Sequence, residues 1–137
     1  MDSEKEKQLK TVVVKLTQNI SDLVAVLLFG TFGSEYETQQ SDLDLALLAR
    51  NPLDPVSLWK LTQEIAIDLN RDVDLIDLRQ ASTVFRYQIL TTGQLIYCSD
   101  QNEFARFDTT SFSMYFDLQE TRKEILKDYE DRNMKYG

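Results

Sequence analysis

Val24-Ala25-Val26-Leu27-Leu28-Phe29-Gly30-Thr31, then ten residues, then Asp42-Leu43-Asp44-Leu45-Ala46-Leu47-Leu48-Ala49: the fold turns on how this stretch is read. Residues 24–29 form a continuous apolar run that stops at a glycine. A run this short, bounded by a breaker, reads as a buried strand. Residues 43–49 read as a second one. The polar segment 30–41 between them carries two of the chain's four glycines. It reads as a turn followed by a short irregular or helical piece.

Upstream, Leu9, Val12, Val13, Leu16 and Ile20 recur at the spacing of a helix with one buried stripe, over residues 4–19. Downstream, Asp54 is a good N-cap and Pro55 suits the first helical position, where its missing N–H costs nothing. That helix is expected to run to about Asn70, with Leu58, Trp59, Leu61, Ile65 and Leu69 as core positions. Residues 73–78 read as a third strand, 81–92 as a helix stopped by Gly93, and 95–98 as a fourth strand. Asp100 with Glu103 resembles a capping box. The tail after it reads as helical to about Tyr129, with a break near Thr109-Thr110-Ser111. Half of the tail aromatics Phe104, Phe107, Phe112, Tyr115 and Phe116 are expected on the sheet and the rest on a partner surface. The order α-β-β-α-β-α-β-α predicts an α/β (α+β) fold: a small mixed sheet of about four strands flanked by helices. The domain prediction is a single domain over 1–137, with a core over 1–99 and a C-terminal helical segment over 100–137.

Composition narrows the chemistry. The 137 residues include 15 Lys plus Arg, 23 Asp plus Glu and no histidine, a formal charge of −8. Without imidazole there is no Ser-His-Asp or Cys-His nucleophile system and no His metal ligand. The acidity argues against direct nucleic-acid binding, which needs a basic footprint. The single cysteine, Cys98, excludes an intrachain disulfide. The charged N-terminus lacks an apolar signal core, and no apolar run is long enough for a membrane span, so a cytoplasmic location is expected. Any activity must use carboxylates, hydroxyls, Lys, Arg or a bound metal.

Side chains alternate along a strand, so Asp42 and Asp44 point the same way while Leu43 points into the core. Two adjacent carboxylates repel unless a cation lies between them, and a hard divalent ion such as Mg²⁺ answers that need. A third acid lies in Val73-Asp74-Leu75-Ile76-Asp77-Leu78. Asp74 shares a face with Ile76 and Leu78, Asp77 with Val73 and Leu75. One of the two should face the metal and the other should sit at the strand end in solvent. Asp74, nearer the middle, is the preferred candidate. An Asp-x-Asp pair alone, in a chain this acidic, also fits plain solvated surface. The glycine and hydroxyl turn at the end of the preceding strand is what raises it above that.

Gly30-Thr31, ten residues and Asp-x-Asp together resemble the signature of minimal nucleotidyltransferases, Gly-Ser, ten residues, Asp-x-Asp. The chain resembles the MNT antitoxins of HEPN/MNT toxin–antitoxin modules, within the DNA polymerase β-like superfamily. The likeness extends over the strand at 73–78, the helix around Phe85-Arg86-Tyr87-Gln88-Ile89-Leu90, and Gly93-Gln94-Leu95-Ile96-Tyr97. It implies a nucleotidyltransferase, polymerase β palm-like fold. It implies that Asp42, Asp44 and Asp74 are catalytic and hold Mg²⁺, two ions in all. It implies that Gly30, Thr31 and Ser41 bind the nucleotide, and that AMP passes from ATP to a tyrosine hydroxyl of a HEPN ribonuclease toxin. Thr31 departs from the usual serine but keeps the hydroxyl. Gly33-Ser34 stands only seven residues before Asp42 and does not fit the spacing.

Two other functions compete with this one. A non-catalytic antitoxin would act by contact alone, with Thr31 marking a disused site. A small-molecule nucleotidyltransferase would need its own acceptor site, for which the roughly 38 residues after the last strand look too few.

Overall fold

The computed structural model describes residues 3–30 and 42–136. The elements are α1 (Ser3–Asn19), β1 (Leu23–Phe29), β2 (Leu43–Ala49), α2 (Pro55–Leu69), β3 (Val73–Asp77), α3 (Thr83–Thr92), β4 (Gln94–Cys98) and α4 (Gln101–Tyr136). Their order is the one predicted. The four strands form one mixed sheet in the order β3-β2-β1-β4. β1 runs antiparallel to both β2 and β4, whereas β2 and β3 run parallel, connected through α2.

Alternation along the strands gives the sheet two faces. Leu43, Leu45, Leu47 and Leu75 turn to one side, where Leu9, Val12 and Leu16 of α1 and Leu61 and Ile65 of α2 cover them. Ala46, Leu48 and Leu78 turn to the other, under Ile89 of α3 and Phe107 of α4. β1 and β2 are the central strands and are apolar on both sides, which is why they read as unbroken runs rather than alternating ones.

The caps follow from local chemistry. The Asp54 carboxylate accepts from Ser57 N at 3.0 Å and Ser57 Oγ at 2.8 Å, and Pro55 opens the helix. Asn70 ends α2 in the left-handed region at φ 49°, which asparagine tolerates better than most residues. Ser82 caps α3, two residues later than expected, accepting from Phe85 N at 3.2 Å. Asp100 accepts from Glu103 N at 3.1 Å. Glu103 does not complete the box: its carboxylate instead takes Arg106 at 2.8 Å and Arg79 at 3.3 Å.

Three expectations are corrected. α4 passes unbroken through Thr109-Thr110-Ser111 and reaches Tyr136. Phe107 and Ser111, four residues apart on one helical face, are both buried, and that packing outweighs the low helix propensity of threonine and serine. Trp59 is not core but 63% exposed. It lies about 100° around α2 from Leu58, off the stripe that Leu61 and Ile65 bury. Asp77 does not end in solvent; it is 7% exposed, and its carboxylate accepts from Leu53 N at 2.8 Å and Arg79 N at 3.0 Å. As the last residue of β3, it turns toward the loop before α2, where those two N–H groups need an acceptor.

Phe104 and Phe107 join the core, as expected of about half of the tail aromatics. Tyr115 stacks on Tyr87 at 3.7 Å between ring centroids, and Phe116 stays exposed beside it. Among the described residues no helix is long and apolar enough to cross a membrane.

Candidate active site

The carboxylates gather where β1 ends and β2 begins. Phe29 is the register partner of Asp44, so Gly30 leaves the sheet directly beside that side chain. Gly30 has φ +78°, and a Cβ there would collide with the Asp44 carboxylate. Glycine serves twice at this position: it permits the left-handed backbone, and it makes room for an acid. On the other side of β2, Asp44 lies abreast of Asp74 in the parallel register. Neighbouring strands are about 4.8 Å apart, so the two side chains share one face at the spacing of adjacent strands. Asp42 precedes β2 and is exposed, as is Asp74, while Asp44 is partly buried between them.

The surroundings of Asp44 disfavour its charged form. The Asp44 carboxyl is pushed above the usual aspartate range, first by burial and then by the negative charges of Asp74 and Asp42. A mutually repelling acid group held in place by the backbone is destabilised until a cation neutralises it. The donor set, carboxylate oxygens alone, suits Mg²⁺. Among the described residues no three acidic side chains already close to ligating distance.

Asp77, the other acid of β3, faces the opposite side of the sheet and is occupied by two backbone N–H groups, so it is not grouped with the other three. Thr31, Ser41 and the Gly33-Ser34 pair lie outside the described residues. Of the residues singled out in the sequence, the structure thus brings together Gly30, Asp42, Asp44 and Asp74.

A groove of about 460 Å³ opens next to Asp74, lined among others by Trp59, Ile76 and Phe85. Sequence reasoning missed it because Trp59 was grouped with the buried stripe. The angular offset of Trp59 from that stripe was the available signal.

The polymerase beta nucleotidyltransferase family matches residues 10–102, which contain the sheet and every acid of the site. This chain belongs to the polymerase beta nucleotidyltransferases. Within that family it is 38% identical over 117 residues to the protein adenylyltransferase MntA of Shewanella oneidensis, spanning 85% of this chain and 84% of the relative. A toxin–antitoxin crystal structure with AMP-PNP contains a chain that is 37% identical, with a TM-score of 0.77, covering 87% of this chain and 95% of the other. A complex of tri-AMPylated Shewanella oneidensis HEPN toxin with MNT antitoxin matches at 36% identity and a TM-score of 0.76, covering 90% and 97%. The likeness thus extends through nearly the whole length of these relatives.

Proposed function

We propose that this protein is the antitoxin of a HEPN toxin–antitoxin pair, and that it silences its partner by transferring AMP from ATP to a tyrosine hydroxyl of the toxin. The observation that carries this reading is the juxtaposition of Gly30, Asp44 and Asp74 at the mouth of the sheet. Similarity to a protein adenylyltransferase and to antitoxins seen with AMP-PNP and with an AMPylated HEPN toxin supports the substrate and the partner.

Each residue has a task. Gly30 lets the backbone come close to the triphosphate, where a side chain would block it. Thr31 and Ser41 supply hydroxyl donors to the phosphates. Asp42 and Asp44 would hold Mg²⁺, two ions in the full complement, with Asp74 as the third ligand. When bound, the metal neutralises the triphosphate and stabilises charge on the attacking and leaving oxygens. Asp74, abreast of Asp44, accepts the proton from the incoming tyrosine hydroxyl. The tyrosine oxygen then attacks the α-phosphorus in line, the bond to the bridging oxygen breaks, and pyrophosphate leaves. The added phosphate places negative charge and bulk on a toxin surface that must admit RNA, which accounts for silencing.

The test is to mix the protein with its cognate toxin, ATP and Mg²⁺ and weigh the intact toxin. The expected result is a mass increase in steps of one AMP, absent with the Asp42→Asn/Asp44→Asn variant. An unmodified toxin that is nonetheless inhibited would replace this reading with neutralisation by contact. A double variant that still labels the toxin would move the active site elsewhere.

A further inference from the structure

β3 is an edge strand: among the described residues, only β2 pairs with it. The parallel ladder determines which of its backbone groups are used. Asp72 O accepts from Leu43 N at 2.9 Å, and Leu78 N donates to Leu47 O at 2.9 Å. Alternation then turns the backbone groups of Asp74 and Ile76 to β2 and leaves those of Val73 and Leu75 pointing outward. A row of outward N–H and C=O groups is a template for another strand, and proteins ordinarily blunt or cover such an edge.

Here the edge lies at the bottom of a groove. One wall comes from α2 and the segment before it, with Leu53, Pro55 and Trp59; the other comes from the start of α3 and the turn before it, with Phe85 and Ala81. The floor is β3 from Asp74 to Asp77. One end of the groove is therefore the carboxylate that faces Asp44. Trp59, exposed on the rim, has no role in the core.

The geometry points to this groove as the seat of the toxin's acceptor segment, bound in extended form as an added strand on β3 with its tyrosine beside Asp74. The inference rests on the transfer reaction given above. That reaction needs a protein hydroxyl brought to Asp74, and the groove leads to that residue. An added strand projects alternate side chains to opposite faces. Asp74 and Ile76 lie on the Phe85 side, and Leu75 lies on the Trp59 side. A tyrosine on the Phe85 side thus reaches the carboxylates while its sequence neighbours pack against Trp59 and Pro55. Backbone pairing supplies affinity that does not depend on the toxin's sequence, and Trp59 supplies an aromatic anchor of the kind that dominates interfaces.

Two measurements test this with the full protein and its toxin. Trp59→Ala is expected to raise the KM for toxin by about tenfold, as loss of one aromatic anchor does, while the KM for ATP holds. Trp59→p-benzoylphenylalanine, irradiated in the complex, is expected to crosslink to the toxin peptide that carries the modified tyrosine. A rise in the KM for ATP instead would give the groove to the nucleotide and overturn the assignment. So would an unchanged KM for toxin, or crosslinks to another part of the toxin or to a second copy of this chain. If the unaltered protein modifies no toxin at all, the functional reading itself falls. If it does modify toxin and the Trp59 results fail, only the groove assignment falls.

Discussion

Gly30 shows how a single residue can serve backbone and chemistry together. At φ +78° an alanine costs roughly 1–2 kcal/mol in backbone strain alone. Its methyl group would also push on the Asp44 carboxylate. Gly30→Ala should therefore lower thermal stability and suppress AMP transfer together, both measurable on one purified variant. Asp44 behaves in the opposite way. Its carboxyl is raised by burial first, then by Asp74 and Asp42, so its charged form is disfavoured in the folded state. An acid whose folded pKa is raised loses stability as pH climbs through that value. Asp44→Asn should thus melt at a higher temperature than the parent at neutral pH without metal, while AMP transfer falls by about 10²–10³-fold, the scale of losing a preorganised electrostatic group. Mg²⁺ should raise the melting temperature of the parent and not that of the variant. This is the trade of stability for function expected where repelling acids are held for a cation.

Among the elements, the helix starts are where charge sets pH dependence. Asp100 caps α4 and pairs with Arg50 at 2.7 Å, tying the end of β2 to the long helix. Its carboxyl is held below the ordinary aspartate value of 3.8, first by the Arg50 hydrogen bond and then by the Glu103 N–H. An acid with a lowered folded pKa contributes fully above its unfolded value and loses that contribution as pH falls through the folded one. Asp100→Asn should accordingly flatten the acid limb of a stability-versus-pH curve below about pH 4, checked by denaturant melts at several pH values. The elements also show what the sequence could and could not disclose. The caps at Asp54 and Ser82 and the shared face of Asp42 and Asp44 are local, so spacing and residue type were enough to find Asp54 and the carboxylate pair. The role of Asp77 was hidden because one of its two partners, Leu53 N, comes from the loop before α2, a separate segment of the chain. The unbroken α4 was hidden because burial of Phe107 and Ser111 against the rest of the fold decides it, not helix propensity.

Across the whole molecule, topology does what no strand does alone. Asp44 and Asp74 are 30 positions apart in the chain and meet because α2 returns the chain to lay β3 parallel to β2 in register. The alternation of residues 73–78 left Asp74 and Asp77 both open; the position of Asp74 nearer mid-strand and the family likeness favoured it, and the register opposite Asp44 comes from the structure. The same topology leaves β3 at the sheet edge, so that the reactive end borders open backbone and an exposed tryptophan. Only the exposure of Trp59 was legible in the sequence, from its angular offset; the groove itself depends on how far apart α2 and α3 sit on opposite faces of the sheet. The absence of histidine retains its meaning at this scale: in the proposed reaction, proton transfer and metal binding fall to aspartates brought together by the sheet. The central claim is that this site turns over. The direct measurement supplies the protein at a small fraction of its toxin, with ATP labelled in the α-phosphate and Mg²⁺, and counts label on the toxin per molecule of protein. Many AMP groups transferred per molecule, with matching pyrophosphate, is the predicted result. Labelling that stops at one equivalent, or toxin silenced only at equal amounts and without label, would contradict it.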